Sequence, residues 1–528
     1  LTTFCGTNGG YEDQTQHDRS FYGDVMLNID KTFGDDWTLN ANIGASINDQ
    51  RYEQAGVAGD LLLTNHFAMN NLNYQEKFKP LQEGWHDQTQ AIFASVEVGW
   101  RSMLYLTVTG RNDWASQLAY SKNSSFFYPS VGLSAVVSEM VDMPEWFSFL
   151  KVRGSYSAVG SSYAAYLTKP YYDYKGQTHE WDSLHRFPNE NLKPEKTKSW
   201  EVGLNARFFG GKLNFDATWY QADTYNQTFN PNVPVGKYSK IYVQTGKIRN
   251  WGMEFALGFD HTWNNFSWAS NMTYSFNKNV IKELGRNAYN PVTGEKLDID
   301  QLVMTDNQVG ATRFILREGG TMGDLYSMVD LQRDHNGNIY INPEGNVSTV
   351  SVADKPIKLG SVLPKGNLAW SNSFTWKNLT ASFMLSARFG GVVYSRTQAV
   401  LDYYGVSEAT GQARDRGFVS INNGDGINPE QWYNLVAGGE TVPQYYTYSA
   451  TNLRLREATI GYKIPRKWLK GVCDIKVSLV GRNLWMIYNK APFDPELTPS
   501  TADNFLQGLD YFMLPSLRNI GFTVKLQF

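Results

Sequence analysis

The sequence predicts an all-β protein, a transmembrane antiparallel β-barrel to which this chain gives about fifteen strands. Three observations predict it. Apolar and polar residues alternate with a period of two from end to end. The connections alternate strictly between short and long. No run of about 20 apolar residues exists to form a membrane helix, which a barrel does not need because each strand hides every second residue from lipid.

Composition agrees. The chain has 528 residues, 14% aromatic and 19% charged, with 46 glycines, and a mean hydropathy of -0.42. That length suggests several domains or one large closed β-structure, and the aromatic content excludes disorder. A net charge of -3 with no basic stripe excludes a nucleic-acid partner. Cys5 and Cys473 have neither CxxC spacing nor ligands beside them, so no disulfide framework is expected.

The strands read clearly in several places. Near the C-terminus Ile520, Phe522, Val524, Leu526 and Phe528 share one face, opposite Gly521, Thr523, Lys525 and Gln527. Leu379, Ala381, Phe383, Leu385, Ala387 and Phe389 oppose Thr380, Ser382, Ser386 and Arg388. Likewise Leu213, Phe215, Ala217 and Trp219 oppose Asn214, Asp216 and Thr218.

Short connections are expected near 31–36, 99–102, 139–145, 210–211, 262–265, 377–378 and 464–471, and long ones near 49–84, 114–125, 160–194, 221–239, 281–358, 397–448 and 486–510. Short periplasmic turns and long extracellular loops would give this asymmetry. It puts Cys5 outside the cell and Cys473 near the periplasmic rim.

Trp100, Trp219, Phe266, Trp268, Phe276 and Phe389 end apolar faces, as interfacial girdles do. Glu97, Arg111, Asp216, Arg388, Lys476, Arg482 and Lys525 fall on the opposite faces and are expected to point into a wet lumen or onto a plug. A soluble β-sandwich, propeller or β-helix with its polar face in water is the alternative. Since bacterial barrels have even strand numbers and the first strand, near Phe21, leads to a short turn, residues 1–18 are expected to be the remainder of an extracellular loop. Residues 19–528 are then the C-terminal portion of a barrel whose earlier strands come from elsewhere, and strand 520–528 is expected to pair with that missing part.

Several segments, in order, resemble the barrel of SusC-like TonB-dependent transporters of Bacteroidetes outer membranes. They are Leu106-Thr-Val-Thr-Gly-Arg-Asn-Asp-Trp114, Phe127-Tyr-Pro-Ser-Val-Gly-Leu-Ser134, Leu150-Lys-Val-Arg-Gly-Ser-Tyr156, Leu192-Lys-Pro-Glu195 with Trp200-Glu-Val-Gly203, Asn250-Trp-Gly-Met-Glu-Phe255, Leu453-Arg-Leu-Arg-Glu457, Gly481-Arg-Asn-Leu484, Phe493-Asp-Pro-Glu496 and the terminal Phe528. The resemblance implies a barrel of about 22 strands with a plug that is not in this sequence. It also implies TonB-dependent import of an oligosaccharide or oligopeptide, contact with TonB through an upstream part, a SusD-like lipoprotein lid, a lipid environment and a dimer of such pairs. No cofactor or enzymatic chemistry is implied.

Loop aromatics are the candidates for holding solute, because flat rings with polar rims suit sugars and peptide side chains. They are Trp85, His86, Trp181, Tyr403, Tyr404, Trp432, Tyr433, Tyr445 and Tyr446. Packing of loops on one another is the other reading of each. His179-Glu180 lacks the second His of a zinc helix, since Ser183 stands there. Asp330, Asp334, Asn336 and Asn338 resemble part of a calcium loop, but a hairpin tip suits them better. A surface adhesin or lectin and a secreted hydrolase on a β-scaffold stay open as rivals.

Overall fold

A computed structural model describes residues 8–75, 79–169, 174–175, 180–181, 187–229, 242–244, 246–285, 288–290, 292–297, 299–304, 309–439, 441–469, 472–497 and 506–528. Fifteen long strands run through it: β1 Gly10–Phe33, β2 Trp37–Asp60, β3 Lys79–Trp100, β4 Leu104–Ala115, β5 Phe126–Val136, β6 Phe147–Ser161, β7 Glu195–Phe208, β8 Leu213–Tyr225, β9 Lys247–Trp263, β10 Phe266–Glu283, β11 Gly366–Trp376, β12 Leu379–Phe389, β13 Asn452–Ile464, β14 Asp474–Asn489 and β15 Asn519–Gln527. The chain divides into two compact units: Leu1–Gly132, Ser157–Lys196 and Val235–Tyr242 form one, and Leu133–Tyr156, Thr197–Pro234 and Val243–Phe528 the other. Within each, strands adjacent in sequence are neighbours in the sheet.

Short and long connections alternate as expected except after β4 and β5, where 116–125 and 137–146 are both 10 residues, and the shortest are two-residue hairpins. Asn264 and Lys377 open two of them with φ of +46° and +52°, the left-handed backbone that the twist of paired strands demands. Between β7 and β8 that conformation falls on Phe209, Gly210 and Gly211, φ +56°, +68° and +85°, and in the two glycines the missing Cβ removes its strain.

The ladders of the second unit sort side chains into two chemistries. One cross-strand row runs Phe215, Leu257, Met272, Trp370, Leu385, Leu455 and Trp485 from β8 to β14. Every member is apolar, yet Trp485 is 61% exposed and Leu257 38%; seven such side chains facing water would be a large unfavourable patch. The opposite face carries the row Thr218, Glu254, Ser275, Asn367, Arg388, Asn452 and Asn489 over the same strands. A wall greasy on one side and polar on the other is what a lipid-embedded strand requires.

The first unit repeats the arrangement. Ile29, Ala41, Val96 and Val108 share a row, while Asp30, Asn40, Glu97 and Thr107 share one on the other face. Its apolar face ends at the short turns in Phe33, Trp37, Trp100 and Leu104, with the Trp37 and Trp100 rings 6.4 Å apart. In the second unit Trp146 stacks on Phe147 and Phe208 beside the corresponding turns. These are the girdle positions.

Two expectations need correction. Strand β1 begins at Gly10 and not near Phe21, so residues 10–18 are strand, not loop. Similarly, β2 and β3 run through much of 49–84, which puts Trp85 and His86 on β3. β4 ends with Ala115 opposite Thr89, and β3 continues past that level to Lys79, roughly 30 Å of additional strand. Polar residues occupy both faces there, as in Glu12-Asp-Gln-Thr-Gln-His-Asp-Arg19, so no alternation marks the strand.

Candidate functional site

The long connections 284–365, 390–451 and 490–518 are not separate flaps. Phe314, Leu325, Leu331 and Val362 from the first, Tyr394, Trp432, Val436 and Tyr446 from the second, and Leu509 from the third bury one another in a common hydrophobic cluster. Three short helices build the middle connection: α1 Arg396–Tyr403, α2 Glu408–Arg416 and α3 Pro429–Ala437. Each starts on a side-chain cap, in which Ser395, Ser407 and Asn428 accept from the backbone N–H of Gln398, Thr410 and Gln431. The Ser395 hydroxyl also donates to Asp510 at 2.5 Å, where Tyr394–Ser395 pairs in parallel with Leu509–Asp510.

This packing separates the aromatic candidates. Trp432 and Tyr446 are 6% and 2% exposed, so neither offers a face to solute, and both serve the loop core. The Tyr446 hydroxyl donates to buried Asp402 at 3.1 Å, and burial with the Asp402 charge drives its pKa upward. Burial pushes Tyr448 up to about 12, and its ring meets Phe493 edge-on at 5.6 Å. Tyr445 stays partly exposed against Trp432. Tyr403, Tyr404 and Tyr433 do come together, around a cavity of about 500 Å3 with Arg414, Glu430 and Asn434. Tyrosine rings and Pro429 give it apolar surface and its rim mixes donors with acceptors, which suits a polar organic solute.

In the first unit Trp85 stacks on Tyr52 with ring centroids 6.0 Å apart, and His86 Nε2 lies 2.8 Å from Asp49 Oδ2. Trp181 belongs to the two-residue strand Glu180–Trp181, paired with Tyr174–Lys175; its side chain, like Cys5, His179 and Ser183, lies outside the described residues. Cys473 is a free thiol.

The charged candidates occupy polar faces with partners. Glu97 accepts from Thr107 Oγ1 at 3.0 Å. Arg111 donates to Asp113 at 2.7 Å, and Tyr128 donates to the same carboxylate. Asp216 takes both Nη atoms of Arg153, at 2.9 and 3.1 Å. Arg482 reaches Glu457 at 3.2 Å, and Arg388 donates to the Val362 carbonyl at 2.8 Å.

Asp334 accepts from the backbone N–H of Asn336 and Asn338, with Gly337 at φ +85° closing the turn, while Asp330 accepts from Arg333. That is the geometry of a hairpin tip. Among the described residues no group of three His, Cys, Asp or Glu could hold a metal ion.

Sequence reasoning missed the strongest electrostatic feature. Arg454 Nη2 and Nη1 contact Asp494 Oδ1 and Oδ2 at 2.6 and 3.2 Å, and Arg456 pairs with Glu496 while its Nε donates to Ser386 at 2.8 Å. Ladder shifts flank Arg454 and skip Arg456, with Asn483 opposite at φ +50°; this bulge puts Arg456 and Glu457 in succession on the polar face. Burial opposes ionisation of Asp494, but hydrogen bonds from Arg454 and Ser516 win and hold its carboxyl below the usual carboxylate range. The i, i+2 spacing of the two arginines was the available signal, since it places both on one side of a strand.

Comparison with known proteins gives a consistent result. A family model described as TonB dependent receptor-like, β-barrel, matches residues 2–484. TonB-dependent receptors P3 and P26 of Formosa agariphila are 23% and 25% identical to the chain, covering 99% of it and 54% and 55% of their own lengths. TonB-dependent receptor SusC of Bacteroides thetaiotaomicron is 25% identical over 61% of the chain and 32% of its own. The chain therefore spans about half the length of the first two. Among solved structures, the RagAB peptide importer in its open-open and closed-closed states matches with TM-scores of 0.78 and 0.75, at 17% and 18% identity, over 98% of this chain and 56% of theirs.

Proposed function

This chain belongs to the TonB-dependent receptor-like β-barrel family of the outer membrane, and we propose that it forms the conduit and much of the extracellular vestibule of an importer for an oligosaccharide or oligopeptide. The observation that carries the reading is the seven-strand wall with its wholly apolar row on one face and its polar row on the other. With Leu257, Met272, Trp370 and Trp485 of that row exposed and not packed into a protein core, a wall between lipid and an aqueous passage accounts for both faces. The fused loops and the tyrosine-lined cavity above the strands suit capture of an organic solute before passage.

In this reading the protein performs no covalent chemistry. Solute is held by the loop aromatics, and a plug supplied from outside these residues is rearranged through TonB to open the lumen. A SusD-like lipoprotein covers the loops, and such pairs assemble as dimers. The family match sets aside the secreted hydrolase and the adhesin. The test is uptake in the source bacterium of labelled neutral oligosaccharides and of a tryptic peptide mixture, with this gene or TonB deleted. Each deletion should abolish uptake of the same cargo; undiminished uptake of both mixtures without the gene would contradict the proposal.

A further inference from the structure

At the long-loop end of the second unit the polar face carries three arginines, Arg388, Arg454 and Arg456; among the described residues two carboxylates pair with them, Asp494 and Glu496, while the neighbouring Glu457 takes Arg482. Asp494 is taken by Arg454 and Glu496 by Arg456. Arg388 is left with one hydrogen bond, from Nη2 to the Val362 carbonyl. Its Nε is buried with no acceptor, and no carboxylate lies within ion-pairing distance of it, among the described residues. A guanidinium has five N–H donors in a planar fork, and leaving a half-buried cation with a buried, unsatisfied N–H carries a cost.

A cavity of about 750 Å3 opens in front of it, lined by Asp216, Glu254, Ser275, Asn367, Arg388 and Glu496 among others. Asp216 is held by Arg153. Glu254 shares the cross-strand row of Arg388 but stands three strands away through Ser275 and Asn367, roughly 14 Å by sheet spacing. Among the described residues no carboxylate therefore pairs with Arg388; Glu496, already held by Arg456, acts on it only through space.

We propose that Arg388 is a receptor for a single carboxylate that enters this cavity from outside the chain described. A carboxylate fits the fork through two parallel hydrogen bonds. A single negative charge is enough to meet the Arg388 fork, whereas the second charge of a phosphate would lie among Asp216, Glu254 and Glu496 with no further unpaired cation among the described lining residues to receive it. The carboxylate belongs either to a solute in transit or to another segment of the same receptor that fills the lumen. The site depends on the polar face of the barrel wall and not on energised import, so it can be tested without uptake.

The test uses the whole receptor purified in detergent, as wild type, Arg388→Gln and Arg388→Lys. Lys keeps the charge without the fork and Gln removes the charge, and unchanged β circular dichroism checks the fold. Binding is measured by calorimetry for tetra-alanine, its C-terminal amide, trigalacturonate and maltotriose. Hydrogen exchange is followed over the whole polypeptide. A solute carboxylate predicts at least tenfold tighter binding of an acid than of its neutral counterpart, abolished in Arg388→Gln and partly kept in Arg388→Lys. An internal carboxylate predicts no such preference, but at least tenfold faster exchange in one segment outside the present sequence in Arg388→Gln. If Arg388→Gln changes neither ligand preference nor exchange, the proposal is wrong.

Discussion

Arg454 and Asp494 meet through two contacts, 2.6 and 3.2 Å long, with side chains only 4% and 9% exposed. One residue is in strand β13 and the other in the connection after β14, so the pair pins a long loop to the polar face of the wall. Removing one partner strands a buried charge, which costs about 3–5 kcal/mol, while replacing both by apolar residues of similar volume can be neutral. Asp494→Ala should therefore lower the melting temperature of the detergent-purified protein, and Arg454→Met with Asp494→Leu should recover most of the loss. Equal damage from the single and double variants would refute the pairing.

The same carboxyl gives a pH dependence. Its folded pKa is depressed, so its contribution is fully present above the unfolded value of about 3.9 and disappears as pH falls through the folded value. Exchange in 490–497 should be flat from pH 7 to 5, after correction for intrinsic rates, and accelerate below about pH 4. In Asp494→Asn that acid-dependent increase should be missing.

Loop packing makes a separate prediction. Trp432→Ala opens a cavity in the common core and should cost about 3–5 kcal/mol locally, visible as faster exchange in 314–331 as well as in 428–437. Tyr446→Phe removes a donor from buried Asp402 and should cost about 1–3 kcal/mol. Changes confined to the mutated connection would mean that the loops are independent.

Within the cavity of α1 and α3, Tyr404→Ala changes a side chain that is 71% exposed. Stability should shift by less than about 0.5 kcal/mol, whereas uptake of the natural cargo should fall several-fold. Normal uptake by Tyr404→Ala together with Tyr433→Ala would remove this cavity from the solute path.

How much was legible follows from what each segment faces. Leu379 to Phe389 alternates because one face meets lipid and the other the lumen, so β12 and its neighbours could be read directly. Gly10 to Ser20 pairs as regularly but has polar residues on both faces, and a strand without an apolar side leaves no period. Trp432 and Tyr446 were visible as aromatics, yet their burial depends on Leu331, Val362 and Leu509 from distant connections, which no local pattern reveals. Arg454 and Asp494 each stand in a recognisable motif; that the motifs touch is a property of the fold.

The orientation of the wall is the most direct test of the central claim that this chain crosses the outer membrane as a barrel with its elaborate connections outside. Cys473 adjoins the short connection between β13 and β14, and Tyr404 lies in the long connection after β12. In intact cells expressing the receptor with Tyr404→Cys and Cys5→Ser, a membrane-impermeant maleimide should label position 404 at once. It should reach Cys473 only after the outer membrane is permeabilised. Labelling of Cys473 in intact cells while position 404 stays protected would contradict the account.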